Sequence, residues 1–244
     1  MKRIKLTIEY DGSMYSGWQK QPDQKTIQGE IEDAIFRTIG QKAEIFGSGR
    51  TDAGVHAYNQ TAHFDLEVPV PVSKLKDILN SALPLDIAIK EVEEVQDDFH
   101  ARFSIKKKTY LYKIYNGEEK NAYLSRRMAH IKKFLDVDKM KQAAKIIEGR
   151  HDFRGFCSAN TCAVDFVRKV YDIDIEKEDD YIFVYVCGNG FLYNMVRIIV
   201  GTLVDYALDK ISLNDIKIAL NEGARSKSGQ TMPAYGLYLK ETKY

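Results

Sequence analysis

A glycine-rich stretch over residues 47–56 carries the side chains best suited to chemistry. It sets an arginine, a carboxylate and an imidazole, Arg50, Asp52 and His56, among three glycines. Glycine adopts backbone angles that other residues resist, so such a loop can turn sharply and approach another backbone or a ligand closely. Arg50 and Asp52 are two residues apart and would share one side of an extended loop. The alternative is a tight turn in which Asp52 binds the backbone and Arg50 faces solvent.

The composition indicates a folded protein. The 244 residues are 44% hydrophobic and 29% charged, enough for one large domain or two packed halves. No apolar run is long enough to span a membrane, and the basic N-terminus lacks a signal-peptide core, so we expect a soluble, cytoplasmic protein.

The three cysteines, Cys157, Cys162 and Cys187, are too few for a disulfide scaffold. His151 lies near the first two and suggests a zinc site. Because no CxxC pair and no fourth ligand accompany them, we expect reduced thiols and no metal.

Charge is unevenly distributed although the formal net charge is only +1. Acidic residues gather over residues 91–98 and 176–180, away from the basic clusters. The basic residues are Arg102, Lys106, Lys107, Lys108, Arg126, Arg127, Lys132 and Lys133. Such segregation can give a nearly neutral protein one basic face for nucleic acid, although charge runs are commonly only solvated surfaces.

The elements that must position the loop follow from periodicity. In the first half, alternation over 4–10 predicts a strand, and helical spacing predicts a helix over 27–39 that stops at Gly40. A short strand over 43–46 precedes the glycine loop, and an alternating strand over 58–66 follows it. Ser73 then caps a helix closed by Pro84, and residues 87–95 form a strand.

The second half repeats this order with one added helix. Strands are predicted over 109–115, 168–175, 181–187 and 235–240. Asp138 caps a helix that stops at Gly149, an apolar stripe over 192–203 predicts a second helix, and Ser212 begins a third.

This pattern predicts an α+β fold of two ferredoxin-like (β-α-β-β-α-β) halves, residues 1–104 and 105–244. We expect them to form a central, mostly antiparallel sheet with helices on one face and a cleft between the halves. The glycine loop would join the two middle strands of the first half.

Several blocks resemble the TruA family of tRNA pseudouridine synthases, in the family's order and across nearly the whole chain. They are YDGS at 10–13, GWQ at 17–19, TIQG at 26–29, GRTDAGVH at 49–56, FHARFS at 99–104, KTYLY at 108–112, GNGFLYNMVR at 188–197 and PAYGLYL at 233–239. Two positions depart from the pattern: Gly190 stands where many relatives have serine, and Met232 where alanine is common. These departures bear on RNA choice rather than on the chemistry.

The resemblance implies an isomerase that converts uridine to pseudouridine at positions 38 to 40 of the tRNA anticodon stem-loop. It implies a homodimer, an RNA-binding cleft between the halves, and no metal or organic cofactor.

The resemblance also assigns roles. Asp52 matches the catalytic aspartate, and a carboxylate can act as nucleophile at the sugar C1′ or as base at C2′. Arg197 matches an active-site arginine that would keep this carboxylate ionised. Tyr110 matches a tyrosine that stacks on the flipped uracil and assists proton transfer, and Arg50 supports the space the base leaves. The phosphates would be held by Arg102, Lys106, Lys107, Lys108, Arg126 and Arg127.

Two other function classes remain open from the residues. A catalytically silent RNA-binding module would bind RNA without modifying it, and a metal-dependent hydrolase could use Asp52, His56 and His63. We expect both histidines to form structural hydrogen bonds instead.

Overall fold

The computed structural model describes residues 1–159 and 163–244, so Cys162 and the thiol prediction for it lie outside the described residues. The described chain is a mixed α+β protein. It divides into two compact units. One comprises Met1–Lys106 with Tyr238–Tyr244, and the other comprises Lys107–Leu237.

The first unit follows the predicted order of elements. Its helices and strands are β1 (Lys2–Tyr10), α1 (Ile27–Ile39), β2 (Phe46–Gly47), β3 (His56–Leu66), α2 (Val72–Asn80), β4 (Ile87–Val95) and, at the far end of the chain, β10 (Leu237–Lys243). β1 lies between β4 and β3 and is antiparallel to both. On the other edge of β3, β2 pairs antiparallel at Ala62 and His63, and β10 pairs parallel at His56 and Ala57.

Local chemistry explains the first two elements. The alternate β1 residues Ile4, Leu6 and Ile8 are completely buried, which confirms the predicted period. Thr26 caps α1 by accepting a hydrogen bond from the Gly29 amide, and Gly40 ends it in the left-handed conformation (φ 71°).

The second unit has a four-stranded antiparallel sheet. Its elements are β5 (Lys107–Tyr115), β6 (Ala129–His130), α3 (Val137–Ile147), β7 (Gly149–Asp152), β8 (Val167–Glu178), β9 (Tyr181–Gly188), α4 (Met195–Ala207) and α5 (Leu213–Asn221). The sheet order is β5-β9-β8-β7, and β6 pairs parallel with the end of β5. Helix α4 is almost wholly buried, as its apolar stripe predicts.

Three helix starts differ from the predicted ones. Helix α2 begins at Val72 with Pro71 at its N-cap, so Ser73 lies inside it. Asp136 rather than Asp138 caps α3, because its carboxylate accepts hydrogen bonds from the amides of residues 138 and 139. Helix α4 begins only at Met195, because Asn194 is left-handed (φ 60°).

The last strand also differs from the expected arrangement. The sequence assigns it to the second half, whereas β10 pairs with β3 and groups with the first unit. The hydroxyls of Thr61 and Thr242 lie 2.7 Å apart, and Asn59 donates to the Lys240 carbonyl at 2.9 Å. The first compact unit therefore includes the C-terminal strand from Tyr238 onwards.

Within the described ranges, every helix is too short or too polar to cross a membrane.

Candidate active site

The glycine loop joins β2 to β3, as predicted, and its first residues are fixed to β3. Ser48 is completely buried, and its amide donates to the carbonyl oxygen of Thr61 at 2.7 Å. The Ser48 hydroxyl donates to Oε1 of the buried Gln60, whose Nε2 donates to the Gly49 carbonyl at 2.9 Å. A side chain of β3 therefore holds the backbone immediately before Arg50.

The middle of the loop is held by the segment that follows β1. The amide of Trp18 donates to the Thr51 carbonyl at 3.0 Å, and the hydroxyls of Tyr10 and Thr51 lie 2.8 Å apart in the interior. Gly17 has φ +93°, and a Cβ atom there would lie 2.6 Å from the Thr51 carbonyl oxygen and 3.2 Å from the Asp52 carbonyl carbon. Only glycine allows the two backbones to approach this closely.

Two further glycines complete the support. A Cβ atom on Gly47 would lie 2.5 Å from the indole of Trp18, which is 2% exposed. A Cβ atom on Gly12 would overlap the carbonyl oxygen of Val55. The segments around Gly12 and Gly17 thus pack against the glycine loop and support it.

Asp52 lies on a fixed turn at a partly exposed position. The Val55 amide donates to the Asp52 carbonyl at 3.1 Å, and Gly54 (φ +78°) donates to the Tyr15 carbonyl at 3.3 Å. Its neighbour Thr51 is buried, whereas Asp52 is partly exposed and Arg50 is exposed. The backbone is therefore held on both sides of a partly exposed aspartate.

His56 forms structural contacts, as expected. It is 2% exposed, accepts a hydrogen bond at Nδ1 from the Gly12 amide (3.2 Å), and stacks on Tyr238 at 4.5 Å. Oδ1 of Asp11 lies 3.1 Å from the same nitrogen. Because Nδ1 accepts the Gly12 proton, that carboxylate is not its hydrogen-bond partner while the ring is neutral.

His63 is also structural. It is 3% exposed and accepts at Nδ1 from the Ala101 amide at 3.2 Å. Burial, with a smaller contribution from His100, lowers the pKa of His63 to about 4. Among residues 1–159 and 163–244, no three His, Cys, Asp or Glu side chains form a metal-ligand group.

Tyr110 lies on β5 opposite Val186 of β9 and is partly buried. Its ring meets the ring of Phe191 edge to face, with centroids 5.3 Å apart. This contact fixes the plane of an aromatic ring that a planar base could stack on.

Arg197 lies in the first turn of α4 and is partly buried. Its Nε donates to the Met232 carbonyl and its Nη1 to Oδ1 of Asn194, both at 2.6 Å. Both acceptors are neutral, so these two bonds orient the guanidinium without cancelling its charge.

The predicted phosphate-binding residues occupy several places. Arg102 and Lys106 are exposed in the first unit, Lys107 and Lys108 are partly buried at the start of β5, and Arg126 and Arg127 are exposed beyond the short helix Ala122–Leu124. Arg50 and Asp52 belong to the first unit, and Tyr110 and Arg197 to the second. The sequence did not indicate that Gln60 supports the loop or that the Met232 carbonyl holds Arg197, because each contact joins segments that are separate along the chain.

A family model described as tRNA pseudouridine synthase matches residues 6–104 and 143–244. The chain belongs to the tRNA pseudouridine synthase family. Three relatives match over the full length of both chains. The tRNA pseudouridine synthases A of Brevibacillus brevis and Caldicellulosiruptor bescii are 48% and 46% identical, and tRNA pseudouridine synthase A 2 of Clostridium perfringens is 46% identical. These matches confirm the predicted family and its isomerase class.

Solved structures give a weaker likeness. The Cbf5-Nop10-Gar1 complex matches with a TM-score of 0.37 and 15% identity, covering 96% of this chain and 57% of that one. The archaeal Nop10-Cbf5 complex matches with a TM-score of 0.36 and 12% identity, covering 94% and 59%. These TM-scores are too low to support a structural or functional comparison.

Proposed function

We propose that this protein isomerises uridine to pseudouridine at positions 38 to 40 of the tRNA anticodon stem-loop, with Asp52 as the essential catalytic residue. One observation supports this most strongly: Gly17 and Trp18 hold the Thr51–Asp52 backbone in place, while Asp52 stays partly exposed. A fixed, accessible carboxylate is what a reaction at a sugar carbon requires.

The proposed reaction balances without an external reagent. The bond between N1 of uracil and C1′ breaks, the base rotates, and a bond between C5 and C1′ forms. C5 loses its proton and N1 gains one, so the product is an isomer and no electrons are transferred. Asp52 either attacks C1′ as a nucleophile or removes the C2′ proton as a base, and either role requires the ionised carboxylate.

The target uridine must leave its stack before Asp52 reaches the sugar, at a cost of a few kcal/mol. Arg50 is exposed on the same loop, two residues from Asp52, and we assign it to the space that the base vacates. The second unit contributes Tyr110, whose ring stacks on the extruded uracil and whose hydroxyl assists proton transfer at C5. Arg197 contributes the positive charge that favours the ionised form of Asp52.

In this proposal, the phosphates of the RNA are neutralised by six basic residues: Arg102, Lys106, Lys107, Lys108, Arg126 and Arg127. The strand order β4-β1-β3-β2, in which each neighbouring pair is antiparallel, supports a ferredoxin-like first half. We further propose a homodimer that acts in the cytoplasm.

Mapping pseudouridine in total tRNA from cells with and without this protein tests the proposal. We expect modification at positions 38 to 40 to disappear without the protein and to return when the purified protein is added. Tight RNA binding with no pseudouridine at any position would favour the silent RNA-binding module instead.

A further inference from the structure

Residues 228–233, here called the strap, run along α4 in the second unit and include the Met232 carbonyl that holds Arg197. The strap begins at the buried Ser228, whose hydroxyl donates to the Gly155 carbonyl at 2.6 Å. At its other end, the Met232 amide donates to the Arg197 carbonyl at 3.3 Å, and the Met232 carbonyl accepts from Arg197 Nε. The position of the guanidinium therefore depends on the position of the strap.

A buried carboxylate anchors the middle of the strap. Asp205 is 6% exposed and lies two helical turns beyond Arg197 on α4. Its Oδ2 accepts from the Gln230 amide at 2.9 Å, and its Oδ1 accepts from Gln230 Nε2 at 3.1 Å and from Lys210 Nζ at 2.9 Å. Truncating Asp205 would leave the Gln230 amide without this acceptor.

The backbones of helix and strap are also in direct contact. A Cβ atom on Gly201 would overlap the carbonyl oxygen of Gln230, and one on Gly229 would lie 2.5 Å from the Gly201 carbonyl. The Gly229 amide donates to Oγ1 of the fully buried Thr202 at 2.8 Å. Gly201 and the Thr202 hydroxyl on α4 thus determine how closely the strap approaches the helix.

Arg225 also holds the strap. Arg225 donates from Nη1 to the Gly229 carbonyl at 2.9 Å and from Nη2 to Oγ1 of Thr231 at 3.1 Å. Beyond Met232, the hydroxyl of the buried Tyr112 donates to the Pro233 carbonyl at 2.8 Å. The segment is therefore held at successive residues and leaves Met232 little freedom.

We propose that Asp205 is a positioning residue for the isomerisation: it fixes Gln230, and through the strap it fixes the Met232 carbonyl that orients Arg197. This inference rests on the proposed function, because it gives Arg197 a role in the reaction. Asp205 itself touches no reacting atom.

The direct test follows the Arg197 Nε–H group by arginine-selective NMR, with its resonance assigned from its loss in Arg197→Lys. In the intact protein we expect slow exchange of this proton with water, because it is bonded to Met232. In Asp205→Ala, exchange should be at least about tenfold faster. Asp205→Asn keeps one acceptor oxygen and should give an intermediate rate.

Two further variants reach the strap without removing the carboxylate. Gly201→Ala displaces Gln230 sterically, and Thr202→Val deletes the acceptor for Gly229, so both should accelerate the same exchange. Asp136→Ala removes the cap of α3 and serves as a control for lost stability without a strap contact. In that control the exchange rate should stay within about twofold of the parent rate.

The kcat measured on the same variants separates the positioning role of Asp205 from the role of Arg197 in the reaction. Faster exchange together with a lower kcat and an unchanged Kd for RNA supports the positioning role. Unchanged exchange in folded Asp205→Ala and Gly201→Ala overturns it. Faster exchange with the parent kcat overturns the role of Arg197 in the reaction, and with it the positioning role, while pseudouridine formation by Asp52 would stand.

Discussion

A Cβ atom on Gly17 would lie 2.6 Å from the carbonyl oxygen of Thr51, so the segment after β1 and the Asp52 loop meet backbone to backbone. This approach links two sequence blocks that lie more than thirty residues apart. It means that the position of the Asp52 carboxylate depends on a residue that carries no functional group.

The first prediction concerns Gly17→Ala. The added methyl group must displace Thr51, and a misplacement of about 1 Å can cost about 100-fold in rate. We therefore expect kcat for pseudouridine formation to fall about 100-fold, while the Kd for the RNA stays within about twofold. Gly40→Ala is a matched control, because Gly40 also has positive φ (+71°), but within residues 1–159 and 163–244 no atom beyond its chain neighbours lies within 4 Å of the added Cβ. A normal kcat in folded Gly17→Ala would contradict the proposed support.

The second prediction concerns pH and His63. The folded protein keeps this ring neutral down to a pKa of about 4, whereas the ring in the unfolded chain binds a proton near pH 6.5. Its contribution to stability is therefore fully present above about pH 6.5 and is lost as the pH falls towards 4. The shift corresponds to about 3 kcal/mol of unfolding free energy. Denaturant unfolding between pH 7 and pH 4 should reveal it.

His63→Gln provides the comparison, since its amide oxygen can still accept from Ala101 but does not titrate in this range. The free energy of unfolding of this variant should fall less steeply with pH. Identical slopes for the two proteins would show that His63 does not bind its proton as inferred.

The third prediction separates the ring of Tyr110 from its hydroxyl. Tyr110→Phe keeps the ring that packs on Phe191 and should bind RNA normally, but with proton transfer impaired its kcat should fall about 100-fold. Tyr110→Ala should lose stacking as well, so single-turnover rates should rank the parent above Phe and Phe above Ala. Equal rates for Phe and the parent would remove the hydroxyl from the mechanism.

The fourth prediction concerns the exposed pair Arg126 and Arg127. If each neutralises a phosphate, replacing both with glutamine should reduce the slope of log K against log salt by about 0.7 to 0.9 for each phosphate that is no longer neutralised. Lys217→Gln, which removes an exposed charge on α5, should leave the slope unchanged. A double variant with the parent slope would exclude this pair from RNA binding.

Patterns in the sequence predicted the helices and strands that are determined by interactions between residues close together along the chain. Strand β1, helix α1 with its stop at Gly40, strand β4 and the start of α5 at Ser212 appear as predicted. The start of α3 was wrong because both Asp136 and Asp138 are suitable caps, and only the folded backbone selects between them. The partner of β10 was not predictable, since alternation identifies a strand but not its neighbour.

The site likewise contains residues that the sequence indicated and supporting residues that it did not. Residue types and spacing singled out Arg50 and Asp52, because an unusual concentration of glycines surrounds them. Their supports were not predictable: Gln60 reads as an ordinary residue of β3, and Gly17 as a turn residue, until the fold brings each against the loop. The resemblance, rather than periodicity, led to Tyr110 and Arg197.

The catalytic role of Asp52 is tested by the single-turnover rate of pseudouridine formation by Asp52→Asn on an anticodon stem-loop RNA. The amide is nearly isosteric but is neither a nucleophile nor a base, so we expect a loss of at least about 1,000-fold with the Kd for RNA unchanged. Asp23→Asn, an exposed aspartate in the same unit, should keep the parent rate. A rate for Asp52→Asn within about tenfold of the parent would show that this carboxylate does not carry the reaction.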